Sequence, residues 1–267
     1  MAEKKLFTKD TLRAIYNCQT YQAQQFGRKL ATLLSEDEQL EFIKNSLEVI
    51  PEKCTNIIVD FMALISENVF TQAFEIVKQQ GRYNLLFPIV AIRDYKFHGK
   101  YIDILFDLVL NHGVDISNFV SFWNHSPIIT LTSDEAVVFL TRLLSLPNSY
   151  ETALHMVSML YLDGRVKDNP KLEKIFEQEA LNSIDKMKKL IQNPHYTQVL
   201  CSLLANGKRE QLAKSIMAGI INYIVENQNV SVNYNVEEIL SVLFEKHFDV
   251  TWDILANTMS SEKDEED

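Results

Sequence analysis

Ile102-Asp-Ile-Leu-Phe-Asp-Leu-Val-Leu-Asn-His-Gly113 decides the fold. Its apolar residues Ile102, Leu105, Phe106 and Val109 fall at i, i+3, i+4 and i+7, the spacing of one helix face. A half-buried strand would alternate apolar and polar residues instead. Apolar residues fill more than this one face, so the helix is expected to be covered on two sides, as in stacked layers. Gly113 stands where the helix should end in a left-handed cap.

The same reading extends outward in both directions. Ile57, Ile58, Phe61, Met62 and Ile65 form one stripe, and Leu212, Ile216, Ile220 and Ile224 recur every fourth residue. Ser35 with Glu38 and Thr132 with Glu135 fit the capping box, in which two side chains satisfy free backbone N–H groups. Asn169-Pro170 and Asn193-Pro194 place a capping residue before a proline at the first helical position. Gly81, Gly164 and Gly207 mark further helix ends.

The expectation is an all-α chain of fourteen helices in seven antiparallel pairs. The spans are 8–34 with 36–50, 51–67 with 69–80, 82–95 with 98–112, and 115–124 with 133–146; then 149–163 with 169–192, 195–206 with 208–228, and 235–247 with 248–259. Residues 124–132 are read as a non-helical link with a β-prone run, Pro127-Ile-Ile-Thr-Leu131. Residues 1–50 are assigned to an N-terminal helical cap, 51–259 to a helical-repeat body and 260–267 to a disordered acidic tail.

Markers at Pro51, Gly81, Gly113 and Pro147 lie 30–34 residues apart, a spacing that suits helix-pair repeats. The stretch Leu110–Phe119 can be laid over Phe244–Asp253: each has a helix end, a tight turn at Asp115 or Asp249, and an aromatic on the next helix. On this spacing and these layered faces, residues 36–259 resemble, at class level, the α-solenoids of the HEAT and armadillo kind. The resemblance implies a curved right-handed stack of helix pairs and a protein-binding scaffold or adaptor.

Net charge is -10, from 26 Lys and Arg against 36 Asp and Glu, which argues against a surface that is basic overall. The charge is uneven. Residues 164–214 carry ten basic and six acidic side chains, a balance of +4, and the rest carries 16 against 30. Within this segment Lys186, Lys188, Lys189, Lys208, Arg209 and Lys214 are the candidates for an anion contact, and the alternative is an ordinary solvated helix face. Trp123 and Trp252 either lock one helix pair onto the next or, if exposed, anchor an interface.

Chemistry-bearing patterns are missing. The six His form no His-x-x-x-His pair, and no Cys-x-x-Cys occurs. The seven glycines make neither a phosphate loop nor a dinucleotide fingerprint. His112 and His247 fall near expected helix C-termini, where an imidazole complements the dipole. Cys54, beside Lys53, reads as a buried thiol rather than a nucleophile. Three widely spaced cysteines, no apolar leader and no long uncharged stretch fit a cytoplasmic protein with no membrane span. The chain is thus expected to have no catalytic, metal or cofactor site. It is expected to serve as a non-enzymatic interaction module (scaffold, adaptor or regulatory subunit) that binds another protein, within a larger complex. The second expectation is a nucleic-acid-associated helical-repeat protein using the 164–214 ridge.

Overall fold

Short side chains at helix starts set the boundaries. The Glu38 carboxylate accepts from Ser35 N–H at 2.8 Å and Ser35 Oγ at 2.7 Å. The Thr132–Glu135 box is reciprocal: Thr132 N–H donates to Glu135 at 2.8 Å and Glu135 N–H donates to Thr132 Oγ1 at 3.4 Å. Asn193 Oδ1 takes the His195 N–H at 3.0 Å, with Pro194 opening the helix. Gly113, at φ +70°, closes the helix read above; its left-handed backbone is one that a Cβ disfavours.

The computed structural model describes residues 7–17, 21–50, 56–121, 127–165, 169–181, 193–207, 209–226 and 234–261. Every regular element among them is a helix. Contacts divide the chain into two units, Met1–Leu131 and Thr132–Asp267.

The first unit holds α1 (Lys9–Asn17), α2 (Tyr21–Leu33), α3 (Glu36–Val49), α4 (Asn56–Leu64), α5 (Glu67–Gln79), α6 (Tyr83–Lys96), α7 (Ile102–His112), α8 (Asn118–Ser121) and α9 (Pro127–Thr130). Within the expected 8–34 helix the described stretches are α1 and α2, and residues 18–20 lie outside the described residues. One span differs from the sequence reading: the supposed link 124–132 contains the short helix α9. Pro127 suits a first helical position, and full burial of Ile128 outweighs the weak strand preference of the Ile-Ile-Thr run.

Packing in this unit joins alternate helices: α1 to α3, α3 to α5, α2 to α4 and α4 to α6. The core is aromatic, with Phe42 against Phe61 at 4.6 Å and Phe119 between Phe87 and Phe106. Gly27 explains the closeness of α2 to α4. A Cβ there would lie 2.3 Å from the Ile57 carbonyl oxygen.

The second unit holds α10 (Ser133–Leu144), α11 (Tyr150–Leu162), α12 (Pro170–Leu181), α13 (Pro194–Ala205), α14 (Glu210–Glu226), α15 (Tyr234–Lys246) and α16 (Phe248–Ser261). Alternate helices pair again: α10, α12, α14 and α16 in one series, α11, α13 and α15 in the other. Leu154, Val157, Leu160, Leu200, Leu203, Ile216, Ile239 and Leu243 fill its interior.

A polar tie recurs in both units that the sequence reading missed. Glu36, first residue of α3, accepts from Ser66 Oγ at 2.8 Å and Asn68 Nδ2 at 3.1 Å at the start of α5. Glu67, first residue of α5, accepts from Lys100 Nζ at 2.9 Å and from Tyr101 Oη, just before α7. In the second unit Asp134, in the first turn of α10, accepts from Asn169 Nδ2 at 3.2 Å, the residue that caps α12. Glu173, in the first turn of α12, accepts from Arg209 Nη2 at 2.6 Å, just before α14. The separations run from 30 to 36 residues. Each carboxylate lies near two helix N-termini, where free N–H groups favour negative charge.

Candidate interaction surface

The last helix, α16, is placed by a buried polar corner. His247 stands between α15 and α16, and its Nε2–H donates to the Leu204 carbonyl in the last turn of α13 at 2.9 Å. Thr251 Oγ1 donates back to the His247 carbonyl at 2.8 Å. The imidazole therefore serves the C-terminus of a neighbouring helix rather than its own. His112 ends α7, stacked on Tyr83 with ring centroids 4.0 Å apart and Nε2 3.4 Å from Asp107.

This corner turns an apolar stripe of α16 outward. Phe248, Trp252, Leu255 and Met259 lie at i, i+4, i+7 and i+11, one face of a helix. Phe248 is 55 % exposed, Trp252 54 % and Met259 61 %, and Leu255 is partly covered. The Phe248 and Trp252 rings are stacked at 6.2 Å with 4° between their planes. On the same segment, Glu245, Asp249 and Asp253 are exposed. Among the described residues of α16, Thr251 alone is fully buried.

The other candidates fall differently. Trp123, Lys186, Lys188, Lys189 and Lys208 lie outside the described residues. Lys214 is exposed on α14. Arg209 is engaged inside its unit, with Nη2 on Glu173 and Nη1 on Glu177. Cys201 is buried, and desolvation, aided by the charge of Glu238, pushes its thiol up to about 12, far from a reactive thiolate. Cys18 and Cys54 lie outside the described residues.

A dense charge cluster among the described residues sits in the first unit, and sequence reasoning passed over it. Arg93 is 1 % exposed. It donates to the Ile65 carbonyl at 2.9 Å beyond the end of α4, to Glu67 at 2.7 Å, and lies 4.0 Å over the Phe70 ring. Glu67 is held down to about 2, first by the Tyr101 hydroxyl and then by Lys100 and Arg93. Asp94 is fully buried and accepts the Tyr101 N–H at the start of α7; burial pushes its carboxyl up to about 6. These groups are consumed in joining α4, α5, α6 and α7. A charged pair directly after the apolar run Leu85–Ile92 was the available sign.

Among the described residues no three His, Cys, Asp or Glu side chains converge as a metal site, and no helix is long and apolar enough to cross a membrane. No protein-family model, curated protein or solved structure matches this chain.

Proposed function

We propose that this chain is a non-enzymatic, cytoplasmic protein-interaction module, a scaffold, adaptor or regulatory subunit whose helices stack as an α-solenoid. The observation that carries the reading is the α16 face. A stacked pair of large aromatics left in water is unfavourable by itself and is the kind of anchor that dominates protein interfaces. Support for the stacked arrangement comes from the alternate-helix packing within each unit and from ties that bring the N-termini of alternate helices together. Buried Cys201 fits a reducing compartment.

The test is co-purification from the native host with the full chain and with Trp252→Asp. The expected result is a defined partner retained by the wild type and lost with the variant, at unchanged helical circular dichroism. Turnover of a substrate by the purified chain, or equal retention of every partner by the variant, overturns the reading.

A further inference from the structure

We propose that the exposed face of α16 docks a basic amphipathic helix from a partner protein. The inference deepens the module reading above and rests on it. Three features of the second unit point to this occupant.

The first is the place of α16 in its series. α12 packs against both α10 and α14, and α14 against both α12 and α16. α14 accordingly buries Leu212, Ala213, Ile216, Met217, Ile220 and Tyr223. α16 packs on α14 and α15, and of its described side chains only Thr251 is fully buried.

The second is the stripe itself. Apolar anchors at i, i+4, i+7 and i+11 are what a helix meets when it lies along another helix. The parallel Phe248 and Trp252 rings, 6.2 Å apart, already present one continuous aromatic surface to a partner.

Charge is the third. Residues 234–261 contain five carboxylates (Glu237, Glu238, Glu245, Asp249, Asp253) and one ammonium, Lys246, which pairs with Glu245 at 2.7 Å. The sequence that follows, residues 262–267, adds five acidic residues and one lysine. A second copy of the chain would set this acidic segment against itself, whereas Lys and Arg flanking an apolar stripe complement it.

The test uses the full chain and labelled helical peptides of roughly 20 residues, about 30 Å of helix. All carry one Leu stripe; their flanks are Lys/Arg, Gln or Glu, and a scrambled Lys/Arg peptide controls for charge alone. Fluorescence anisotropy is expected to rank the peptides basic, then neutral, then acidic, with the scrambled one weakest of the basic pair. Trp252→Asp should weaken the basic peptide by about thirtyfold, as loss of an interface anchor does. Trp252→Gln, milder for folding, should show the same direction, and binding should weaken between ~50 and ~500 mM salt.

Binding of the neutral or acidic peptide as tight as that of the basic one, no binding of the basic one, or binding indifferent to both Trp252 variants overturns the proposal. So does a Trp252-dependent dimer in sedimentation velocity, which makes a second copy the occupant. A native partner held through another face sinks this inference and leaves the module reading standing.

Discussion

Arg93 shows how a single buried charge is tolerated. Its guanidinium meets the Ile65 carbonyl, the Glu67 carboxylate and the Phe70 ring, so little of it is left without a partner. Arg93→Ala removes all of these at once, leaving the Ile65 carbonyl at the α4 end without its donor and a void beside Phe70, while Glu67 keeps Lys100 and Tyr101; it should lower the stability of the chain by roughly 3–5 kcal/mol in urea unfolding. The two neighbouring carboxyls act in opposite pH windows. Glu67 is lowered from 4.5 to about 2, so its contribution is present above pH 4.5 and lost as pH falls towards 2. Asp94 is raised from 3.8 to about 6, so folding favours its protonated form, and stability declines as pH rises between those values. Asp94→Asn keeps an oxygen for the Tyr101 N–H and removes the titration. Melting temperatures of wild type and variant, compared across pH 3.8 to 6, should show the wild type losing ground to the variant as pH rises. A difference that stays flat across this window counts against the assignment.

At the scale of elements, caps and close approaches do different work. Thr132 and Glu135 satisfy each other's N–H groups at the start of α10, and Thr132→Ala should cost about 1 kcal/mol, read from thermal or urea unfolding. Gly27 is not a cap but a contact surface. With a Cβ 2.3 Å from the Ile57 carbonyl, Gly27→Ala must push α2 off α4 and should cost about 1–3 kcal/mol although alanine is the better helix former. A neutral or stabilising result would show that the two helices do not meet there. Capping boxes and proline starts are local chemistry and were readable from the chain. The Gly27 approach was not, because it depends on a residue 30 positions away in another helix. The helix at Pro127–Thr130 also escaped the sequence reading; there, burial of Ile128 overrode a local preference.

For the whole molecule, the exposed α16 face proposed as the docking surface lies outside the core. Phe248 and Trp252 are more than half exposed, so Phe248→Asp and Trp252→Asp should each change unfolding free energy by no more than about 0.5 kcal/mol while the partner is lost. Loss of both stability and partner would mean that the stripe is part of the core. The contacts within the first unit predict a regional effect as well. In hydrogen exchange, Arg93→Ala should speed exchange foremost across α4 to α7, the helices it joins. Uniform acceleration over the whole chain would rule out that regional origin.

The sequence by itself determined that the chain is helical, where most helices begin and end, and that Trp252 merited attention. Those facts follow from spacing of 3 and 4 residues, proline and glycine geometry and side chains bonding to nearby N–H groups, all local in the chain. Tertiary structure decided the rest. It took Arg209 out of the basic segment by giving it two glutamates, turned His247 toward the end of a neighbouring helix, and set Glu36, Glu67, Asp134 and Glu173 against helix starts some thirty residues on. It also turned Trp252 to water where α16 packs on α14 and α15. Whether a charge is paired or a ring exposed depends on what residues distant in sequence bring to it, and helical periodicity, a property of short windows, carries no record of that.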